Sequence, residues 1–298
     1  MPDGFLNLNK PAGWTSHDCV AKLRRLLKIK KIGHAGTLDP AATGVLPVAV
    51  GRATRLLQYL PKDKAYRAVV QLGTTTNTDD LDGTVLTQTS AQHLTQTAVV
   101  EQLMQFEGEI EQTPPLYSAI HVNGQRLYDL ARRGRIKTIE VPSRRVVVYH
   151  INTVDWQPGE VAQITLDIVC GAGTYIRSIA RDLGNAVGVG GTLAALIRTK
   201  SSGFTLDTSI SFNTLFEQLE QLPLIAPAVA MSHLKPIVLS PESGRRWCLG
   251  QPILKNSTAE LERPLRVVTE ACPFLGIGVF RLKNDRLYLV PKMVFAHT

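Results

Sequence analysis

The chain has 298 residues, 44% of them hydrophobic, with a net charge of +8 and four cysteines. That length buries a sizeable core without disulfides or metals, and no apolar run approaches the roughly 20 residues of a membrane-spanning helix. Cys19, Cys170, Cys248 and Cys272 are far apart and lack metal-ligand spacing, which points to reduced thiols, no metal and no cofactor. With no targeting segment at the N-terminus, the expected location is the cytoplasm.

In chain order, Phe5, Leu6 and Leu8 read as a short strand ended by the turn at residues 10–13. Thr15 or Ser16 caps a helix carrying Val20, Leu23, Leu26 and Leu27 on one face. Residues 33–40, with two glycines and a proline, read as a loop, 43–50 as a buried strand and 52–60 as a helix. Residues 66–72 alternate as a strand, 73–83 read as an exposed polar loop, and 90–106 as a helix. An irregular basic stretch follows Pro114-Pro115, with a helix expected at 126–132. Two long β runs (145–154 and 161–170), a helix (174–187) and a segment leading into another strand (192–199) complete this part. Without a regular βαβ repeat, the fold class is α+β with a mixed, mostly antiparallel sheet. From 222 onward, prolines punctuate short β runs, predicting a small barrel-like domain. The expected division is 1–230 and 231–298.

The charge is clustered. Lys22, Arg24, Arg25, Lys28, Lys30 and Lys31 form one group; Arg126, Arg132, Arg133, Arg135, Lys137, Arg144 and Arg145 form another. Such a distribution suits a polyanion, and nucleic acid first among polyanions.

Few segments carry chemistry. In Gly33-His34-Ala35-Gly36-Thr37-Leu38-Asp39-Pro40, glycines permit close approach of a ligand and Pro40 restricts Asp39 to extended backbone. A carboxylate held so is a nucleophile or a base, or a cap in a polar turn. In Gly171-Ala172-Gly173-Thr174-Tyr175-Ile176-Arg177 a strand ends, glycines turn the chain and a helix begins; Arg177 suits a carboxylate or a phosphate. Tyr66 at a strand start reads as core, and Asp79, Asp80 and Asp82 read as a solvated turn.

Read together, these segments resemble the TruB family of tRNA pseudouridine synthases over residues 5–215. The similar motifs include Asn9-Lys10-Pro11-Ala12-Gly13, the 33–40 segment, Lys64-Ala65-Tyr66, Thr78-Asp79-Asp80-Leu81-Asp82-Gly83, Pro114-Pro115-Leu116-Tyr117-Ser118-Ala119 and Gly124-Gln125-Arg126-Leu127-Tyr128. Gly173-Thr174-Tyr175-Ile176-Arg177 and Leu196-Ile197-Arg198-Thr199, followed by Ser202-Gly203-Phe204, complete the order. The resemblance implies the pseudouridine synthase fold and isomerisation of the T-loop uridine at position 55 of tRNA. It implies Asp39 as nucleophile, Arg177 as its partner, and Tyr66 stacked on the target base and a candidate general base. Asp80, Tyr175 and Leu196 are implied pocket contacts. His34 would enter the T loop and support flipped-out nucleotides, and Lys10 would shape the site's floor. The basic insertion, about 114–145, would clamp the RNA through Arg126, Arg132 and Arg133. Beyond 215 the likeness is to a PUA-like RNA-binding barrel. The implied partner is the tRNA T-arm, met by a monomer without guide RNA or a protein partner.

Two rival readings share some of these motifs. A guide-RNA-dependent synthase of the same superfamily matches around residue 39 but lacks a clamp of this kind. An RNA-folding chaperone would explain the charge without the carboxylate.

Overall fold

The computed structural model describes residues 3–118, 121–122, 125–126, 141–255, 260–272 and 274–295. The chain runs β1 (Gly4–Lys10), α1 (Ser16–Leu27), β2 (Ile32–His34) and β3 (Thr43–Val50), then a 3₁₀ stretch over Gly51–Tyr59. Next come β4 (Lys64–Leu72), β5 (Thr74–Thr76), β6 (Val85–Gln88), α2 (Gln96–Leu103) and β7 (Gly108–Gln112). The short pair β8 (His121–Val122) and β9 (Gln125–Arg126) precedes β10 (Arg144–Gln157), β11 (Ala162–Cys170), α3 (Ile176–Ala186), β12 (Gly191–Ser201) and β13 (Phe204–Thr205).

Among the described residues these strands build a nine-stranded sheet, ordered β1-β3-β12-β4-β11-β10-β7, with β2 on β3 and β13 on β12. All its pairings are antiparallel except β3 with β12, where Ile197 faces Thr43 and Arg198 faces Gly44. That junction needs a glycine: Gly44 has φ +101°, and a Cβ there would stand 2.3 Å from the Arg198 carbonyl oxygen.

Period-two patterning gives the sheet its buried face. Tyr66, Ala68, Val70 and Leu72 of β4 lie beside Ile164, Leu166 and Ile168 of β11, covered by Val99 and Leu103 of α2 and Ile179 and Leu183 of α3. The opposite face at these strands is wet, and Arg67 pairs across it with Asp167 at 2.7 Å. β1 is buried on both sides. Leu6 and Leu8 pack under Cys19, Val20 and Leu23 of α1, while Phe5 joins Val45 and Ala49 on the other side. α1 starts where expected: Thr15 accepts the Asp18 N–H and Asp18 returns a bond to the Thr15 N–H, a reciprocal cap.

After α4 (Phe212–Glu217) and α5 (Pro227–Ala230) comes a second sheet of β14 (Pro236–Val238), β15 (Ile253–Lys255), β16 (Leu265–Val268), β17 (Gly276–Lys283) and β18 (Arg286–Val294). Its order is β14-β16-β17-β18-β15, curled into a half-barrel. The intervening α6 (Pro241–Cys248) closes it with the fully buried Trp247. Met231, Phe274, Ile277 and Met293 share one apolar cluster with Phe5, Val45 and Leu56, so the two sheets have a common core. The α+β, mostly antiparallel expectation is met, and the C-terminal unit is barrel-like as expected.

Several elements differ from their sequence reading; β2 takes up the start of the expected 33–40 loop and β5 lies within the expected 73–83 loop. Residues 51–59 wind as 3₁₀ rather than α-helix, between a left-handed Gly51 (φ +65°) and Pro61. The helix expected over 90–106 is confined to Gln96–Leu103, capped by Thr95. Arg126 is on a strand instead of starting a helix; residues 127–132, with Arg132 and Arg133, lie outside the described residues.

Candidate active site

The 33–40 segment is held from beneath by two buried cations. The ammonium of Lys10, fully buried, donates to the carbonyl oxygens of Pro11 (2.9 Å), Trp14 (2.7 Å) and Pro40 (2.9 Å). Arg198, equally buried, donates from Nη2 to the Gly36 carbonyl (3.1 Å), from Nη1 to that of Thr37 (3.2 Å) and from Nε to that of Val45 (2.7 Å). Ser16 Oγ accepts the Leu38 N–H at 2.9 Å, and the Gly13 N–H reaches the Pro40 carbonyl at 2.9 Å. Leu38 itself is buried in the main core. With its carbonyls satisfied below, this stretch of backbone carries the Asp39 side chain upward, 41% exposed.

Arg177, in the first turn of α3 and only 5% exposed, meets that carboxylate. Its Nη2 donates to Asp39 Oδ1 at 3.1 Å, and its Nε lies 3.0 Å from Oδ2 in an ion-pair contact off the hydrogen-bond line. The rest of the guanidinium is occupied by the Thr78 and Tyr117 carbonyls, both at 3.1 Å, and by Asp80 Oδ2 at 3.5 Å. Arg177 is therefore fixed from several sides, while one carboxylate it touches faces open space.

The polar loop at 73–83 is not a solvated turn. Arg181 takes Asp79 at 2.9 Å, and the Leu193 N–H takes the Asp79 carbonyl at 3.0 Å. Asp80 accepts from the Thr78 hydroxyl and from the Asp82 N–H. Burial holds the Asp80 carboxyl above the usual range, partly offset by Thr78 and Arg177.

One cleft is lined by Thr37, Leu38, Asp39, Lys64, Tyr66, Tyr117, Ser118, Arg144, Tyr175, Arg177 and Leu196, together with the turn at 173–174 and Ile176. Tyr66 is nearly buried; loss of solvation pushes its phenol up to about 12, so it stands as a neutral hydroxyl beside Arg198. Tyr175 is held at the start of α3 by Gln112, whose side chain takes its N–H at 2.7 Å and donates to its carbonyl at 3.0 Å. The Arg144 guanidinium lies over the Tyr175 ring, 4.6 Å from its centre. Leu196 packs against the core from β12.

Asp39, Tyr66, Tyr175, Arg177 and Leu196 thus come together. Asp80 reaches the site through Arg177. Lys10 is beneath it, in contact with Pro40. His34 is not on the cleft wall; it sits half-buried at the end of β2, its imidazole pushed below the usual range by burial and by Arg198. Sequence reasoning missed Arg198, Ser16, Gln112, Lys64 and Arg144 as parts of the site. Period two along β12 puts Arg198 on the same face as Leu196, which was the available signal.

Residues 24–176 match the TruB family pseudouridylate synthase (N terminal domain), and residues 236–295 match pseudouridine synthase II TruB, C-terminal. A protein named tRNA pseudouridine synthase B from Gloeothece citriformis is 57% identical over 98% of this chain and 97% of its own. The chain belongs to the TruB family. A second TruB relative of the same name, from Trichormus variabilis, is 53% identical over 98% of both chains. The fold recurs in a solved Cbf5-Nop10-Gar1 complex, with a TM-score of 0.74 and 24% identity over 99% of this chain and 85% of that one. This TruB protein is accordingly an isomerase, a pseudouridine synthase. No helix among its described residues is long and apolar enough to cross a membrane.

Proposed function

We propose that this enzyme converts the uridine at position 55 in the T loop of tRNA to pseudouridine, with Asp39 as the reacting carboxylate. The observation that carries this is the Asp39–Arg177 pair: an exposed carboxylate at the mouth of a cleft, gripped by a buried arginine. The reaction breaks the bond between N1 and C1′, turns the base, and forms the bond between C5 and C1′. One proton leaves C5 and N1 gains one, so atoms and electrons balance without a co-substrate. Asp39 adds covalently or takes a proton, which divides a hard step into easier ones.

A stacked uridine hides N1 and C5, so the nucleotide turns out of the loop to react. The cleft, with Tyr66 and Leu196 for a flat ring, Tyr175 at its edge and Asp80 behind Arg177, suits a single pyrimidine. Tyr66 begins the reaction as a neutral phenol, so its first role is to stack and to donate a hydrogen bond. His34 supports the opened loop as a neutral ring. The net charge of +8 favours tRNA binding, with the insertion at about 114–145 (Arg126, Arg132 and Arg133) as clamp and residues 231–298 as a PUA-like RNA-binding unit following the synthase unit at 1–230. The enzyme works in the cytoplasm as a monomer, without a guide RNA.

The test is pseudouridine mapping of an unmodified tRNA transcript and a T-arm stem-loop, each treated with wild type or Asp39→Asn. Wild type alone converts the T-loop uridine, and the variant binds but does not convert. Conversion by the Asn variant, or a need for guide RNA, sinks the reading.

A further inference from the structure

The cleft holds more positive charge than its own acids answer. Arg177 has Asp39 and Asp80; Arg181, behind it, has Asp79 and Asp182. Arg198 has no acid but spends its donors on three backbone carbonyls. Lys64 and Arg144 also line the cleft, and among the described residues neither has an acidic partner. Lys64 is half-buried at the start of β4, its ammonium 3.5 Å from where a Cβ on Gly36 would stand. Arg144 is half-buried at the start of β10 and lies over Tyr175; its Nε is shielded from solvent with no acceptor. A partly desolvated cation without an anion is unfavourable, and in a substrate cleft the substrate can supply the missing charge.

Their placement selects the kind of anion. β4, β11 and β10 are neighbours, so Lys64 and Arg144 flank the turn at 171–174 that leads into α3. In that turn Gly173 has φ +92°, and the N–H groups of Ala172 and Gly173 meet no acceptor among the described residues. Two cations astride a glycine turn with free N–H groups form a concave anion seat. When a uracil enters the cleft toward Asp39, its ribose remains at the rim, and the phosphates joined to that ribose are the anions nearest by covalent necessity. Resting on the pseudouridine synthase reading, we infer that Lys64 and Arg144 form a phosphate subsite for the backbone of the target nucleotide, gripping the phosphate on one side of the turned-out uridine. The grip holds the ribose while the base is free to rotate, which is the mechanical requirement of an isomerisation in which the base leaves and returns to the same C1′.

The experiment uses the full chain and T-arm stem-loops in which the phosphate either 5′ or 3′ of the target uridine is replaced by a neutral methylphosphonate. Binding and single-turnover rate are measured for wild type, Lys64→Gln and Arg144→Gln, with thermal melting to establish folding. Wild type is expected to bind one of the two modified RNAs roughly tenfold more weakly than unmodified RNA, the loss of one charge-assisted contact. Lys64→Gln should show a similar loss on unmodified RNA, no further loss on that same modified RNA, and a salt slope shallower by about one. Arg144→Gln should couple to the same phosphate. If neither modification weakens wild-type binding, the subsite is refuted without any variant. If the losses from variant and modification simply multiply at both phosphates, Lys64 and Arg144 do not hold that phosphate. Wild type that forms no pseudouridine on the unmodified stem-loop would instead refute the functional reading on which the subsite rests.

Discussion

Lys10 Nζ lies 2.9 Å from the carbonyl oxygen of Pro40, the residue that follows Asp39. A fully buried lysine is unusual, and burial pushes this ammonium below its ordinary range. It is retained because three carbonyls converge on it. Lys10→Ala leaves the Pro11 and Trp14 oxygens unpaired and the Pro40 oxygen with the Gly13 N–H alone, at a stability cost of about 3 kcal/mol. The loop then loosens, so kcat should fall by about tenfold or more while the dissociation constant for tRNA stays close to wild type. Urea unfolding and single-turnover kinetics check both; a variant that is unstable but turns over at the wild-type rate would separate the lysine from the site.

Arg198→Lys tests the second buried cation. The charge survives, but an ammonium cannot reach the Gly36, Thr37 and Val45 carbonyls with one rigid fork. The expected outcome is a lower kcat with unchanged tRNA affinity. A rise in the dissociation constant with kcat preserved would mean that Arg198 serves binding and not the placement of Asp39.

Tyr66 sets a pH limit. Its phenol is raised from 10.0 to about 12, so the folded protein keeps a proton that the unfolded chain has lost. Stability from this residue is present below pH 10 and declines as pH rises from 10 to about 12. Tyr66→Phe should remove that decline from the unfolding curve. The reaction rate should likewise show no increase as pH approaches 10, since no phenolate forms there; a rate that climbs with an apparent pKa near 10 would make Tyr66 an ionised base.

His34 acts at the other end. Its imidazole is pushed below 6.5 by burial and by Arg198. The unfolded chain therefore binds a proton first, and stability falls as pH drops below 6.5. His34→Gln should flatten that part of the profile, read by thermal melting at several pH values. An unchanged slope would assign it to other groups.

Much of the site was legible because motifs carry local chemistry. The glycines and proline around Asp39 marked a shaped loop, and the Gly171–Thr174 turn marked the start of the helix that delivers Arg177. What escaped was whatever depends on distant strands meeting. Arg198 stands in the sequence only as a member of the Leu196–Thr199 motif; it is buried because the parallel contact with β3 brings the Val45 carbonyl, and the loop those of Gly36 and Thr37, beneath it. The aspartates at 79, 80 and 82 read as a wet turn; Asp79 and Asp80 are bound because α3 presents Arg181 and Arg177 to them across about a hundred residues of sequence, and of the three Asp82 alone stays exposed. Lys64 was legible only as a flank of Tyr66, since its lack of a partner is a property of the assembled cleft. The 3₁₀ form of Gly51–Tyr59 follows from its neighbours at each end, not from its apolar spacing.

The central position of β12 has a consequence for the order in which the molecule is made. β12 joins β3 to β4, yet it is translated after every other strand of that sheet except the short β13. A growing chain without residues 191–201 carries two separate half-sheets, one bearing Asp39 and the other leading into Arg177. Each half ends in an unpaired strand edge, available to chaperones or to misassembly. The carboxylate and its arginine thus belong to two halves of one sheet that β12 joins, although both halves precede it in the chain.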